Sequence, residues 1–447
     1  MGRTPVINYI KDLLHTFITK RNISYLFINI GNIPIMTLVG SFLAIYYVDV
    51  LGIDEYSVGT MFLVARIFDG INDPVIGGFI DRARGEKLSQ LKKFLIAGTL
   101  ICSLNYLILW IGPAVVSGNA KIIVAYISYL LLGITFPVMD ISLNSMIPVL
   151  STSAADRDTL SSIKVIGYGA GTLLIEILVP IIISFAGASK LSYIIITLAV
   201  VFVVIILSLS GTNGLNTPCE KRETKIANGE KNSFSAFIRV MEERNVLTVF
   251  LSGMCFYTGN AALAVSNTYY AAYCLGDMKF LAYMTAATYA LEMFVILLVP
   301  IFTQKFGQKI LFACALLTAG AGLMIRFIPW PGELAGFAAL LVSSAIFGTG
   351  YGFVMILFYS IQACNVDCVF RNSKIEAEGT IAALMSMVNK IGKGIGGALP
   401  LYILGAMQVG GNVYSKLSLR IIDGLMPALL MITGAVIFMI GYKDECI

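Results

Sequence analysis

Ala65-Arg66-Ile67-Phe68-Asp69-Gly70-Ile71-Asn72-Asp73-Pro74 lies in the middle of a segment, residues 57–80, that is otherwise apolar enough to cross a membrane as a helix. Each ionised side chain near the centre of a bilayer costs about 2.5–3.5 kcal/mol on insertion scales, so Arg66, Asp69 and Asp73 are expected to face a protein interior or a water-filled path. Asp69 and Asp73 stand one turn apart on one helical face, and Arg66 joins them three residues before Asp69. Intramembrane carboxylates read by default as an ion or substrate site. A structural ion pair between Arg66 and Asp69 explains one acid and leaves Asp73 over.

Composition agrees with a membrane reading of the whole chain. Of 447 residues, 57% are hydrophobic and 13% charged, which excludes an ordinary soluble protein. Cutting at the polar breaks gives about twelve apolar segments, each long enough to span the hydrocarbon as a helix. The predicted fold class is therefore an all-α membrane protein with twelve transmembrane helices. The first 20 residues lack an apolar run ending in a small-residue cleavage site, so no cleavable signal is expected. The eight cysteines are scattered with no C-x-x-C pair, and a single histidine, His15, argues against a soft-metal site. The net charge of +5 calls for no nucleic acid, because the basic residues collect in loops on one side of the membrane.

Charge in the connections sets the topology. Arg3, Lys11, Lys20 and Arg21 precede the first span at 22–48, which places the N-terminus in the cytoplasm. The connection from Asp49 to Tyr56 carries Asp49, Asp54 and Glu55 without Lys or Arg, as an external loop would. After the second span, Asp81-Arg82-Ala83-Arg84-Gly85-Glu86-Lys87 makes a strongly basic inner loop. Spans three to six follow at 94–112, 121–149, 160–186 and 191–210, and a polar stretch at 211–244 then separates six spans from six. The rest are expected at 246–274, 280–303, 309–329, 335–363, 378–406 and 421–442, returning the C-terminus to the cytoplasm of the plasma membrane. The expected domains are a six-helix bundle at 1–210 holding the cation site, a cytoplasmic loop at 211–244 and a second bundle at 245–447. Parallel six-helix halves around a long loop are the organisation of major facilitator transporters, and Gly77-x-x-x-Asp81-Arg82 resembles that superfamily's loop signature. Gly167-x-x-x-Gly171 and Gly392-x-x-x-Gly396 predict close helix packing. Trp110 and Trp330 lie at span ends, as interfacial anchors do.

A second group of polar residues falls at similar depth. Asp140 on span four lies level with Asp69 and Asp73, and three carboxylates at one level call for positive partners. Arg66, Lys164, Lys390 and Lys393 are candidates, and a bound cation is another. Asp69, Asn72 and Asp73 offer two carboxylates and an amide oxygen, a set suited to a hard alkali cation. For a proton, the same pair of carboxylates would work by raising one another's proton affinity. The sequence leaves Na+, Li+ and H+ open. Asn32 and Asn144 sit where a central cavity would be; Glu176, Glu292 and Arg326 either line a path or are paired for structure.

Phe62 to Pro74 is closely similar to the second helix of the glycoside-pentoside-hexuronide:cation symporter family, which includes the melibiose permeases, within the major facilitator superfamily. The resemblance covers nearly the whole chain, with Tyr46-Tyr47-Val48-Asp49-Val50-Leu51-Gly52, Met139-Asp140-Ile141, Asp367, Ala377-Glu378-Gly379 and Lys390 as weaker matches. It implies that Asp69, Asn72 and Asp73 hold the coupling cation with Arg66 beside them, and that Asp140 touches the sugar. It implies too that Lys164 and Lys390 belong to the cavity or its gate. Arg66, Asp81, Arg82, Asp367 and Glu378 are assigned to gating or structure. Ile33 stands where the permeases carry a helix-one aspartate, and Asn144 where they stack a tryptophan on the sugar, so the pocket departs from a galactoside site. Pro137 replaces a threonine near the cation and leaves the carbonyl of Gly133 without its helical donor, so that carbonyl is expected to serve as a cation ligand.

The reading that follows is a secondary transporter, acting as a monomer, that couples inward flow of Na+ or H+ to uptake of a sugar, glycoside or uronic acid, with no cofactor beyond the coupling ion. Alternatives are the same symport with an amphiphile such as a lysolipid as cargo, or a non-transporting membrane sensor. With no phosphate loop in context and no nucleophile beside a base, an enzyme is not expected.

Overall fold

The computed structural model describes residues 19–81, 87–151, 154–215, 240–296, 298–331, 333–373, 378–407 and 414–443. The long helices are α1 Lys20–Ile45, α2 Glu55–Asp81, α3 Lys87–Val115, α4 Asn119–Asn144, α5 Ala154–Ala186 and α6 Lys190–Gly214, followed by α7 Arg244–Tyr269, α8 Lys279–Ile296, α9 Gln308–Phe327, α10 Glu333–Ser373, α11 Glu378–Ala406 and α12 Met426–Gly441. Among the described residues, nine helices are long and apolar enough to cross a membrane. Helices α2, α8 and α11 occupy the positions of the second, eighth and eleventh spans; α2 carries Arg66, Asp69 and Asp73, and α11 carries Lys390 and Lys393. Many apolar side chains point outward, such as Phe202 at 66% and Ile440 at 72% exposure, as in a surface solvated by lipid rather than water. The chain is a multi-pass membrane protein.

Local chemistry sets the helix ends. Ser189 caps α6, its Oγ accepting from the backbone N–H of Ser192 at 3.2 Å. Helix α10 runs ten residues past the expected end at 363, because Gln362 to Ser373 contains neither Gly nor Pro to stop it. Asp367 therefore lies on a helix rather than in a connection. Helices α1 and α7 end alike, each widening into a single π turn, Tyr46–Val50 and Tyr270–Cys274, capped by Leu51 and Leu275. A glycine in the left-handed region follows each cap, Gly52 at φ 68° and Gly276 at φ 81°. The two six-residue stretches from Tyr46 and Tyr270 to these caps, six helices apart, both begin with tyrosine and end with leucine.

The chain falls into two compact units. One comprises Met1–Val39, Phe68–Ile182 and Ala186–Lys225; the other comprises Gly40–Ile67, Ile183–Phe185 and Ile226–Ile447. The first half of the sequence thus lends Gly40–Ile67 and Ile183–Phe185 to the second unit. Hydrogen bonds inside that unit account for the membership: Thr268 donates to the Ser41 carbonyl at 2.6 Å, Ser184 to Asp277 at 2.6 Å, and Thr60 pairs with Tyr402 at 3.0 Å.

In the first unit α3 packs on α4 and α6, around Trp110 stacked on Tyr193 at 5.9 Å. Trp110 is fully buried, so it is a core residue and not the interfacial anchor that its place near a span end suggests. Trp330 is half exposed and donates to the Ile325 carbonyl at 3.0 Å, as an anchor should. In the second unit α7 packs on α11 and α12, and α9 on α10 and α12. Phe312 and Phe438 meet at its centre with ring centroids 4.5 Å apart. Glycine spacing sets the closest approaches. A Cβ on Gly167 would lie 2.7 Å from Asn29 Cβ on α1, and one on Gly392 would lie 2.7 Å from Tyr257 Cβ on α7.

Candidate functional site

The ion ligands expected on α2 lie against α4. Pro137 leaves the Gly133 carbonyl without its helical donor, and the Nδ2 of Asn72 supplies one at 2.7 Å. The carbonyl expected to turn toward a cation is thus answered by the neighbouring helix, and only its second lone pair remains. Gly133 contributes by its missing side chain as well, because a Cβ there would collide with Asp69 Oδ1. Asp69 and Asn72, both half-buried, are thereby held beside a backbone oxygen. A carboxylate, an amide and a backbone carbonyl on adjoining turns of α2 and α4 fit a hard cation or a proton and offer nothing to a soft metal. Asp73 follows one turn along α2, with its side chain outside the described residues, as are those of Asp81, Asp367 and Glu378; Arg82 lies outside altogether.

Two turns further along α4, at the i+7 position from Gly133, Asp140 gathers a second set. Its Oδ1 accepts from Asn32 Nδ2 on α1 at 2.9 Å and from the Tyr168 hydroxyl on α5 in a very short contact. Its Oδ2 accepts from Asn144 Nδ2 at 2.9 Å. Asn32 also reaches the Tyr168 oxygen at 3.4 Å. Glycines on α5 make this convergence possible: Gly167 and Gly171 seat the helix on Asn29, Ile30 and Ile33 of α1. The Lys164 ammonium stands 5.2 Å from the centroid of the Tyr168 ring.

Asn32, Asp140, Asn144 and Lys164 are therefore brought together as expected, and Tyr168 joins them unforeseen. The signal was present, since Tyr168 follows Lys164 by four residues and a helix places such a pair on one face. Three donors already satisfy much of the hydrogen-bonding capacity of Asp140. Among the described residues, what the cluster still offers is the Oδ1 of Asn32 and the Oδ1 of Asn144, both buried with no hydrogen-bond partner, and a lysine without an ion pair. Buried acceptors left open require donors from elsewhere.

The remaining expected residues belong to the second unit. Lys390 on α11 and Arg66 on α2 are half-buried, and a Cβ on Gly394 would lie 2.9 Å from Arg66 Cβ. Arg326, one of the candidates for a path, is instead a buried structural cation. It pairs with Asp423 at 3.1 Å and donates to Asn267 at 2.7 Å, Ser343 at 2.9 Å and Ser344 at 3.0 Å. Ser266 completes Asp423 at 3.1 Å. Glu292 is half-buried and lies against Gly352.

Known proteins resemble the chain along nearly its full length. It is 27% identical over 392 residues to the isoprimeverose transporter of Lactiplantibacillus pentosus, covering 84% of this chain and 77% of that one. A glucuronide carrier protein homolog of Escherichia coli K12 is 24% identical over 369 residues, covering 81% and 78%. A putative sulfoquinovose importer of Salmonella typhimurium is 26% identical over 411 residues, covering 89% and 84%. Among solved structures, a variant of the nucleoside transporter NupG superposes with TM-score 0.71 over 95% of this chain and all of the other at 14% identity. The D-xylose-proton symporter superposes with TM-score 0.62 over 96% and 98% at 15% identity. These superpositions identify the fold as that of the major facilitator transporters, and none of these proteins is described as an enzyme. The family of MFS/sugar transport proteins matches residues 24–443, so the chain belongs to that family of membrane transporters.

Proposed function

We propose that the protein is a symporter in which the Asp69–Asn72–Asp73 group binds Na+ or H+ and the Asp140 cluster binds a hydroxylated solute of the sugar, glycoside or uronic acid class. The observation that carries this is the Asp140 cluster. It is a carboxylate held rigid by Asn32, Asn144 and Tyr168, with two buried amide oxygens still open to hydroxyl donors. Relatives named for isoprimeverose, glucuronide and sulfoquinovose support the solute class.

Helix α4 supplies the coupling. Gly133 contacts the ion residues and Asp140 organises the solute residues, two turns apart on one rigid element. A cation that fixes Asp69 and Asn72 also fixes that stretch of α4, and by linkage the solute must raise cation affinity by the same factor. The basic stretch at Arg82 to Lys87 argues for cytoplasmic termini in the cell membrane, with two six-helix bundles opening alternately to either side of one monomer. An amphiphile is the weaker reading. Asn144 stands where a flat apolar surface would serve a lipid tail, and its amide is committed to Asp140.

Thermal stability of the purified protein tests the proposal, with sugars, uronic acids and lysolipids each measured in sodium, lithium and potassium. Stabilisation by one hydroxylated solute that needs sodium or low pH, and is lost in Asp73→Asn, is the expected result. Solute stabilisation indifferent to every cation and to pH removes symport and leaves uniport; stabilisation by lysolipids alone overturns the solute class.

A further inference from the structure

Helix α11 carries a charge that neither the ion residues nor the Asp140 cluster uses. Gly392 and Gly396 seat α11 on Tyr257 and Thr258 of α7, while Gly394 and Gly397 seat it on Arg66 and Phe62 of α2, all within the second unit. At about 100° per residue, Lys393 projects into the sector between these two packed faces. Ile391, on the far side of the helix, is turned outward instead. A side chain directed between two neighbouring helices is ordinarily core, yet Lys393 is exposed, so the space in front of it is open.

Among the described residues, no ion pair, hydrogen bond or aromatic ring engages Lys393, and the charge that acts on it is the Arg66 guanidinium, another cation. Whatever answers Arg66 among those residues does not extend to Lys393. The surrounding protein also withdraws the ammonium from bulk water. An ionised group inside a span calls for a counter-charge, so the partner of Lys393 comes from outside the chain and is an anion. Asn389 stands four residues earlier, one turn away in the same sector. Its Oδ1 is buried with no hydrogen-bond partner among the described residues. An ammonium beside an open amide oxygen suits a ligand that carries an acidic group and a nearby hydroxyl.

We propose that Lys393 and Asn389 bind the acidic end of the cargo, Lys393 pairing with a carboxylate or sulfonate and Asn389 Oδ1 accepting from an adjoining hydroxyl. The hydroxylated solute proposed above, on which this rests, is then a sugar acid rather than a neutral sugar or glycoside. A lysine presents a point charge with rotatable donors, whereas a guanidinium fork favours a planar carboxylate. The acidic group is therefore not restricted to one shape.

The test compares sugars that differ in an acidic group: glucose with glucuronate, galactose with galacturonate, and quinovose with sulfoquinovose. Affinity is read from the concentration dependence of thermal stabilisation of the purified full-length protein, at fixed sodium and pH. In at least one pair the acid should bind more tightly than its neutral partner by about tenfold or more. Lys393→Gln should weaken the acid by about tenfold to a hundredfold, the worth of a hydrogen bond to a charged group, and so erase the preference. Lys393→Arg should restore part of it. Without solute, Lys393→Gln should melt no lower than the parent, because it removes a charge that the protein does not answer; a lower melting temperature makes Lys393 a structural cation and overturns the proposal. A neutral sugar that binds as tightly as its acid, or an acid whose affinity survives Lys393→Gln, also overturns it and leaves the hydroxylated solute standing. Stabilisation by neither member of any pair removes that solute and the acid site together.

Discussion

Two of the charged clusters among the described residues are built to opposite ends. Around Arg326 the guanidinium meets Asp423, Asn267, Ser343 and Ser344, and the acid is completed by Ser266. Each charge is answered by the protein itself. Around Asp140 the acid is answered by amides and a phenol, while Lys164 touches an aromatic face and two amide oxygens stay open. The first cluster is closed and the second is waiting. A buried charge with all its partners in place is a structural joint; one surrounded by spare hydrogen-bonding capacity is what we propose as the solute site. The contrast separates Arg326 from Asp140 where polarity within a span could not.

Breaking the closed cluster should have the largest effect. Arg326→Leu leaves Asp423 buried without its cation and is expected to cost about 3–5 kcal/mol, read as loss of folded protein in detergent; Arg326→Leu with Asp423→Leu should recover most of it. Asp140→Asn, by contrast, should leave the melting temperature near that of the parent and abolish solute-induced stabilisation. If Asp140→Asn unfolds the protein as Arg326→Leu does, the two clusters are alike and the distinction fails. Tyr168→Phe sharpens the same comparison, because it removes one donor from Asp140 and keeps the ring beneath Lys164. Solute affinity is expected to fall about tenfold to a hundredfold, the worth of a hydrogen bond to a charged group, in a titration by calorimetry.

Gly133→Ala drives a methyl group into Asp69 at a cost of about 1–3 kcal/mol. It should reduce the sodium or proton dependence of solute binding more than binding itself. The smallest effect lies outside the spans. Burial pushes the Asp277 carboxyl up, but hydrogen bonds from Lys279 and Ser184 outweigh it and hold the group at about 2, below its ordinary 3.8. The stabilisation from Asp277 is thus present above pH 3.8 and is lost as pH falls through about 2. Ser184→Ala removes one of these donors and should move the melting temperature at neutral pH by no more than about 2 °C.

Much of the architecture was legible because charge is rare in this chain and so marks its own position. Most apolar runs fall within about five residues of the observed helices, with α3, α8 and α10 the wider misses, and the acids on α2 drew notice because an ionised group inside a span needs a partner or a water path. What stayed hidden depends on partners distant in sequence. Asp423 is unremarkable until Arg326 is found against it. Tyr168 looks like one more aromatic among 21 tyrosines until α5 is seated on α1 by its glycines. Trp110 sits near a span end either way, and only Tyr193 on α6 decides that it faces inward. The Gly133 carbonyl was rightly read as orphaned by Pro137, but a sequence does not say which neighbour reaches it first.

The matched ends of α1 and α7 carry a meaning of another kind. Each helix leaves its span through a wider turn that a leucine closes and a glycine of positive φ redirects. Asp49 and Tyr273 each stand two residues before that leucine, and the Tyr273 hydroxyl is hydrogen-bonded to the Asp49 carboxyl. The two helix ends are thus fastened to one another through the same place in the same kind of turn. A residue inserted into or removed from either turn would rotate one partner away and undo the fastening.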